Sequence, residues 1–275
     1  RDELEFNSFE QVHHWQEIAV ILLKKYCDRY YKFRKAEFEN DHLEYRELME
    51  DDPNFIDEYR FLVEQSQEEI VTKLEEIKQI IDDSALKPVE FQGLRSIMFD
   101  RHLYQPLIYV KSDLIEVKPV VLENEGERDF ILHLQDFCSK NKGFFENKEL
   151  YLLRNMSRGR GIGFFEAGNF YPDFILWLLT SGRQYINFVD PKGLRNVDGI
   201  NDPKIRFYHS VEELEQTLND PDVTLNSFII SSTPLQQISW WGDGMTKEQF
   251  EQCHVLFQKE DRDTYIQKLL TEAQK

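Results

Sequence analysis

Cysteine is scarce in this chain: Cys27, Cys138 and Cys253 are its only three, widely spaced and without a CxxC pair. A disulfide scaffold and a cysteine-built zinc site are both excluded, and the pattern suits a reducing compartment, so a cytoplasmic location is expected. No apolar run approaches the roughly 18 residues that span a bilayer, and the first residues lack the apolar segment of a secretory signal. A soluble, non-secreted chain with no membrane partner is expected. A Walker A loop is missing too, since no GK[ST] follows any glycine-rich stretch, and with it any visible ATP motor. Positive charge is the last shortage: 33 lysines and arginines stand against 51 acids, for a net charge of −18. Such a balance ordinarily argues against a nucleic-acid ligand.

The distribution of charge tells more than its sum. Residues 1–100 carry −12, whereas residues 151–210 are the one net-positive block, at +3. A basic patch on an acidic body can still take phosphates, with low non-specific affinity. At 275 residues the chain can bury a substantial core, as one large domain or two smaller ones. It opens on Arg1 rather than Met, which fits a piece of a longer polypeptide.

Residues 8–83 read as helices. Phe9, Val12, Ile18, Ile21, Leu22 and Tyr26 recur at helical spacing. Asp51-Asp52-Pro53 breaks the pattern, and Asn54 is placed to cap a second helix striped by Phe55, Tyr59, Leu62, Ile70, Leu74, Ile77 and Ile81. A helical hairpin that packs its own core or docks on the rest of the chain accounts for this stretch; a surface for a partner is the sharper reading. His13 and His14 are adjacent and cannot share a helical face, so they carry little weight as metal ligands. Between residues 87 and 122, Pro88, Gly93, Pro106 and Pro119 punctuate apolar runs at 107–110 and 117–122, which suggests strands or connectors. The domain boundary is expected near residue 90, between a helical region at 1–90 and a second domain at 91–275.

After Asn124, the apolar residues Phe130, Ile131, Leu134 and Phe137 mark an amphipathic helix ending near Asn141, and Asn124 with Glu127 fits a capping box. Residues 149–154 read as a strand, followed by SRGRGIG. Its glycines let backbone approach a phosphate closely, and Arg158 and Arg160 offer planar forks for phosphate oxygens. Arg154 and Arg195 keep the flanks basic. Pro172-Asp173 then leads into an apolar run at 174–179, a turn at Thr180-Ser181-Gly182-Arg183, a second apolar run at 185–189 and finally Asp190-Pro191-Lys192. That is a strand, a tight turn and a strand.

In an antiparallel hairpin of this length, the start of the first strand lies beside the end of the second, so Asp173 and Asp190 face each other. Strand alternation puts Lys192 on the face of Asp190. A Mg²⁺ or Mn²⁺ ion answers the repulsion between such acids, keeps several waters and takes phosphate oxygens. The lysine orients a water or steadies transition-state charge. Phosphodiester hydrolysis is the reaction that uses all of these parts. Glu166, seven residues before Asp173, either reaches the metal or pairs with an arginine. Beyond the site, Ser210 is expected to cap a helix and residues 225–232 to form a strand, completing an α-β-β-β-α-β order. Trp240-Trp241 suits a buried position better than base stacking. Residues 247–274 read as two helices, on which Cys253 and His254 lack a third ligand and so are structural.

Pro172-Asp173 and Asp190-Pro191-Lys192, read as PD-x(16)-DxK, resemble the signature of the PD-(D/E)XK nuclease superfamily. The context, with YLLRN at 151–155, GIGFFEAGNFYPDF at 161–174 and FVDPKG at 188–193, is similar to the nuclease region found C-terminal to a helicase motor in type III restriction subunits. This likeness covers roughly residues 120–235. It implies an α/β fold with a mixed sheet, a restriction-endonuclease-like αβββαβ core preceded by an N-terminal helical region. It also implies a third acid on the preceding helix, for which Glu127 is the candidate and Glu125 the reserve. The second motif position holds Asp rather than the commoner Glu, whose shorter side chain shifts the metal.

The function so implied is that of a metal-dependent endonuclease acting on DNA in a restriction or anti-phage system. Asp173, Asp190 and Glu127 would hold Mg²⁺ or Mn²⁺, Lys192 would position the attacking water, and Arg154, Arg158, Arg160 and Arg195 would contact the nucleic acid. The likeness further implies a helicase or ATPase, either as a partner or as a motor region of a longer chain, and a homodimer would suit cleavage of both strands. The alternative is a catalytically silent nucleic-acid-binding or scaffold module that recruits a helicase or other subunit.

Overall fold

The computed structural model describes residues 13, 15–27, 48–49, 52, 54–64, 66–82, 88–119, 122–156, 171–195, 201–238 and 246–275. The chain divides into two compact units, Arg1–Tyr45 and Arg46–Lys275. In the first, residues 15–27 form helix α1, on which Ile18, Val20, Ile21, Leu22, Leu23 and Tyr26 are exposed.

The second unit begins with a departure from the helical spacing of its sequence. Residues expected in a helix form strand β1 (Arg60–Val63), and only α2 (Glu68–Asp82) is helical. Strand β1 runs antiparallel to β5 (Ile115–Lys118), with Phe61 opposite Val117 and Val63 opposite Ile115. Phe61 and Val63 thereby pack with Ile70, Ile77, Ile115 and Val117, while Leu62 faces solvent. The stripe's Leu62 thus faces out while its neighbours Phe61 and Val63 face in, and the distant strand partner decides the outcome. Asn54 caps no helix; it bonds Asp52 and the backbone of Met156. The pairing of β1 with β5 ties residues 60–63 into the second unit, Arg46–Lys275. A separate three-stranded antiparallel sheet joins β2 (Glu90–Phe91), β3 (Leu94–Ile97) and β4 (Leu107–Val110).

The largest sheet has five strands. Strands β6 (Glu149–Arg154), β7 (Phe174–Thr180) and β8 (Arg183–Lys192) form an antiparallel meander. Next to it, β9 (Val223–Ser231) runs parallel to β8, and β10 (Val255–Phe257) parallel to β9. Helix α3 (Glu125–Lys140) precedes the meander and α4 (Phe207–Leu218) makes the crossover from β8 to β9. The fold is thus mixed α/β around a mixed sheet, with the elements following in the order α-β-β-β-α-β.

Both faces of this sheet are covered, which is why its central strands read as almost unbroken apolar runs. Phe174, Leu176 and Leu178 of β7 pack with Phe130, Ile131 and Leu134 of α3, and with Tyr265, Ile266 and Leu269 of α6 (Tyr265–Glu272). Ile175 and Phe188 turn the other way, onto Phe207 and Val211 of α4, as the two-residue period of a strand requires. The β7–β8 turn is the two residues Ser181-Gly182, closed by Thr180 opposite Arg183. Gly182 has φ 84°, a value that L side chains rarely adopt.

Two further expectations are corrected. Ser210 lies inside α4, whose N-cap is Arg206; burial of Phe207 against the sheet extends the helix backward, beyond the position a serine cap would choose. The C-terminal region is not two helices only. Between α5 (Lys247–Gln252) and α6, the apolar residues Val255, Leu256 and Phe257 form β10, because the edge of β9 supplies them with backbone partners.

Phe130 is fully buried, with its ring centroid 5.2 Å from that of Phe174. Truncation at Phe130→Ala is expected to lower unfolding free energy by about 3–5 kcal/mol, read as the shift of a urea midpoint, while Lys140→Ala on the exposed side of α3 stays within about 0.5 kcal/mol. Equal effects of the two would contradict the packing described.

Candidate functional site

The last antiparallel pair of β7 and β8 joins Phe174 to Val189. One step further along that register stand Asp173 and Asp190, as the hairpin length predicts. Their carboxyls stand close enough for the charge of one to raise the other. Lys192 lies two residues on, and its Nζ is 2.7 Å from Asp190 Oδ2. Side-chain exposure is 8% for Asp190, 18% for Lys192 and 24% for Asp173, so Asp173 is the least enclosed of the three.

Glu127 arrives from the first turn of α3. The expected cap is present: Asn124 Oδ1 accepts from the Glu127 backbone N–H at 3.0 Å. The Glu127 carboxylate is almost fully enclosed, with Oε2 accepting from the Glu123 N–H at 2.9 Å and Oε1 from the Asn124 side chain. Capping and site therefore use the same residue. Glu125, by contrast, is exposed and pairs with Lys111 at 2.6 Å.

Arg154 links these pieces. It is the last residue of β6 and is buried, its guanidinium turned toward Glu127 and Asp173. Nη2 lies 3.1 Å from Glu127 Oε2 and Nη1 lies 3.4 Å from Asp173 Oδ1. Nη1 also donates to the carbonyls of Asn155 at 2.7 Å and Asp173 at 2.9 Å. Asn155 repeats the stitching, from its backbone N–H to the Asp173 carbonyl and from its side chain to the Pro172 carbonyl. Arg154 and Asn155 are thus held beside Pro172 and Asp173.

Electrostatics follow from this enclosure. Burial, and then the charge of Asp190, push the Asp173 carboxyl far above the usual carboxylate range, against the pull of Arg154. Burial likewise raises Glu127, and Arg154 opposes it. Among the described residues no group of three or more His, Cys, Asp or Glu side chains is placed to hold a metal ion. Asp173 and Asp190 remain as a pair, and two carboxylates match the donor set of a cation that keeps several waters.

The structure therefore brings Asp173, Asp190, Lys192 and Glu127 together, and places Arg154 among them rather than on the surface. Arg195 is exposed and its side chain bonds Gln237. Arg158, Arg160, Glu166, Trp240 and Trp241 lie outside the described residues. Cys253 stands at the end of α5, while His254 stacks on Phe228 and bonds the Ser227 carbonyl, a structural use of the ring.

Sequence reasoning missed His102, which lies 52 residues from its partner and in no motif. Its Nε2 accepts from the Arg154 N–H at 2.8 Å, and its Nδ1 faces the Tyr104 carbonyl at 2.7 Å. Two ring nitrogens so engaged describe a neutral imidazole, Nδ1–H donating and Nε2 accepting. Burial, helped by Arg154, lowers its pKa to about 4, against the Tyr104 carbonyl bond.

A His whose folded pKa is depressed contributes stability above its unfolded pKa of about 6.5 and loses it as pH falls toward 4. Between pH 7 and pH 5, wild type is expected to lose about 2 kcal/mol more unfolding free energy than His102→Gln, measured by urea denaturation at both pH values. Parallel losses in the two proteins would show that His102 is not held neutral. Compared with known proteins, the chain matches no family model, no curated protein and no solved structure.

Proposed function

We propose that this chain is a metal-dependent nuclease that hydrolyses phosphodiester bonds in DNA, built on a restriction-endonuclease-like core. The observation that carries this reading is the meander end: Asp173 and Asp190 opposed across β7 and β8, with Lys192 ion-paired to Asp190 at 2.7 Å. The likeness of its sequence to PD-(D/E)XK nucleases supports the same assignment. So does the order of elements, from α3 through the meander and α4 to β9.

In this reading Asp173 and Asp190 hold one Mg²⁺ or Mn²⁺ ion. Bound there, the ion would supply Lewis-acid stabilisation of phosphate charge and a more acidic water. The chain's own groups do the rest. Lys192, half-enclosed beside Asp190, keeps an ammonium where charge develops on the phosphate and where a water can be oriented. Water oxygen bonds to phosphorus and gives a proton to solvent, the bridging P–O bond breaks, and the leaving oxygen takes up a proton from solvent. Arg158 and Arg160 of the glycine- and arginine-bearing segment, together with Arg195, contact the DNA backbone. A restriction or anti-phage assembly with a helicase or ATPase, and a homodimer for double-strand cleavage, are the partners this function calls for, in the cytoplasm.

One observation favours the second reading, a silent DNA-binding or scaffold module that recruits such a motor. Arg154 and Lys192 already pair with the three acids, so the network holds together without a cation.

Cleavage of supercoiled plasmid and of a labelled single strand, in Mg²⁺, Mn²⁺ and EDTA, separates the two. Wild type is expected to cut in either metal and not in EDTA. Asp190→Asn and Lys192→Ala are expected to lose at least ~100-fold in rate while staying folded by far-UV circular dichroism. Cutting that persists in EDTA or in Asp190→Asn would sink the mechanism.

A further inference from the structure

The third carboxylate of the site is not free to join a cation. Glu127 has both oxygens engaged, Oε1 by the Asn124 side chain and Oε2 by the Glu123 N–H and the Arg154 Nη2. Its side chain is 2% exposed. The guanidinium that holds it is itself anchored by two backbone carbonyls, at 2.7 and 2.9 Å, and its amide is fixed by His102. Arg154 thus cannot swing away without breaking bonds at β6, at the start of β7 and at α3. Its positive charge also stands 3.4 Å from Asp173 Oδ1. A divalent cation entering between Glu127 and Asp173 would have to displace a buried, hydrogen-bonded guanidinium, which costs several kcal/mol when one partner of a buried pair is left alone.

We infer that Arg154 is a resident counter-ion: it takes Glu127 out of the ligand set, so that the site accepts a single divalent cation, on Asp173 and Asp190 alone. This rests on the nuclease reading above and narrows it to one-cation phosphodiester chemistry. Arg154 occupies the place where a second cation, bridging Glu127 and Asp173, would otherwise sit. It also explains why an arginine in a net-positive segment is buried instead of facing DNA. Lys192 then stands as the one side-chain ammonium beside the cation-bearing acids on β8.

Titration of the full chain with Mn²⁺, followed by calorimetry and by the electron spin resonance signal of free Mn²⁺, tests this without any substrate. Wild type is expected to bind one Mn²⁺, and Asp190→Asn to lose it. Arg154→Gln is expected to bind a second ion or to tighten the first at least ~10-fold, because a cation leaves and a carboxylate becomes available. Should Arg154→Gln fail to fold, Glu127→Gln decides: its amide keeps the acceptor for Glu123 and Arg154, and one Mn²⁺ is expected with affinity within ~10-fold of wild type. Two ions in wild type, unchanged binding in folded Arg154→Gln, or a ~100-fold loss in Glu127→Gln would overturn the inference while leaving the nuclease reading in place. Wild type that binds no Mn²⁺ at all would overturn both.

Discussion

Three carboxylates cannot crowd one end of a sheet, largely shielded from water, unless positive charge stands among them. Here Arg154 and Lys192 supply it, and the surrounding fold is arranged to hold both in place. Each comes from the end of a strand in the same sheet, Arg154 from β6 and Lys192 from β8. Asp173 sits between them at the start of β7, so the register of the meander sets every spacing in the cluster. Helix α3 closes the set by pressing Phe130 onto Phe174, which delivers Glu127 from its first turn. Loss of any one element would leave a buried charge without its partner.

That arrangement differs from a simple acidic pocket awaiting a metal. Its charge is nearly compensated from within, and its most enclosed acid is spent on capping and on Arg154. The least enclosed acid is Asp173, beside the buried Asp190 and its partner Lys192. The same stitching that fixes Arg154 holds Asn155 beside Pro172 and Asp173. His102 belongs to that support, a neutral ring that accepts from the Arg154 N–H and donates to the Tyr104 carbonyl.

Much of this was legible because it is local. The β7–β8 hairpin needs only two apolar runs and a Ser181-Gly182 turn, and its length alone opposes Asp173 and Asp190. Helix α3 announces itself by an apolar stripe and by the Asn124 and Glu127 cap, and both are present. Misreadings arose where a distant partner decides the outcome. Residues 60–63 fit a helical stripe until β5 offers them an edge, and Val255, Leu256 and Phe257 are too few to declare a strand before β9 is known. Ser210 looked like a cap because caps are local signals, and the burial of Phe207 overrode it.

The sequence by itself determined the hairpin, the helix before it, and the identity of the acids and the lysine that meet, since all of these follow from spacing along neighbouring residues. Tertiary structure alone decided the direction of Arg154 and the use of His102. An arginine at a strand end can face solvent or core with equal local ease, and only the arrival of Glu127 and of two carbonyls makes the inward pose the lower in free energy. For the same reason the ligand set of the site could not be counted from the sequence. Which carboxylates are free depends on which cation is already buried beside them.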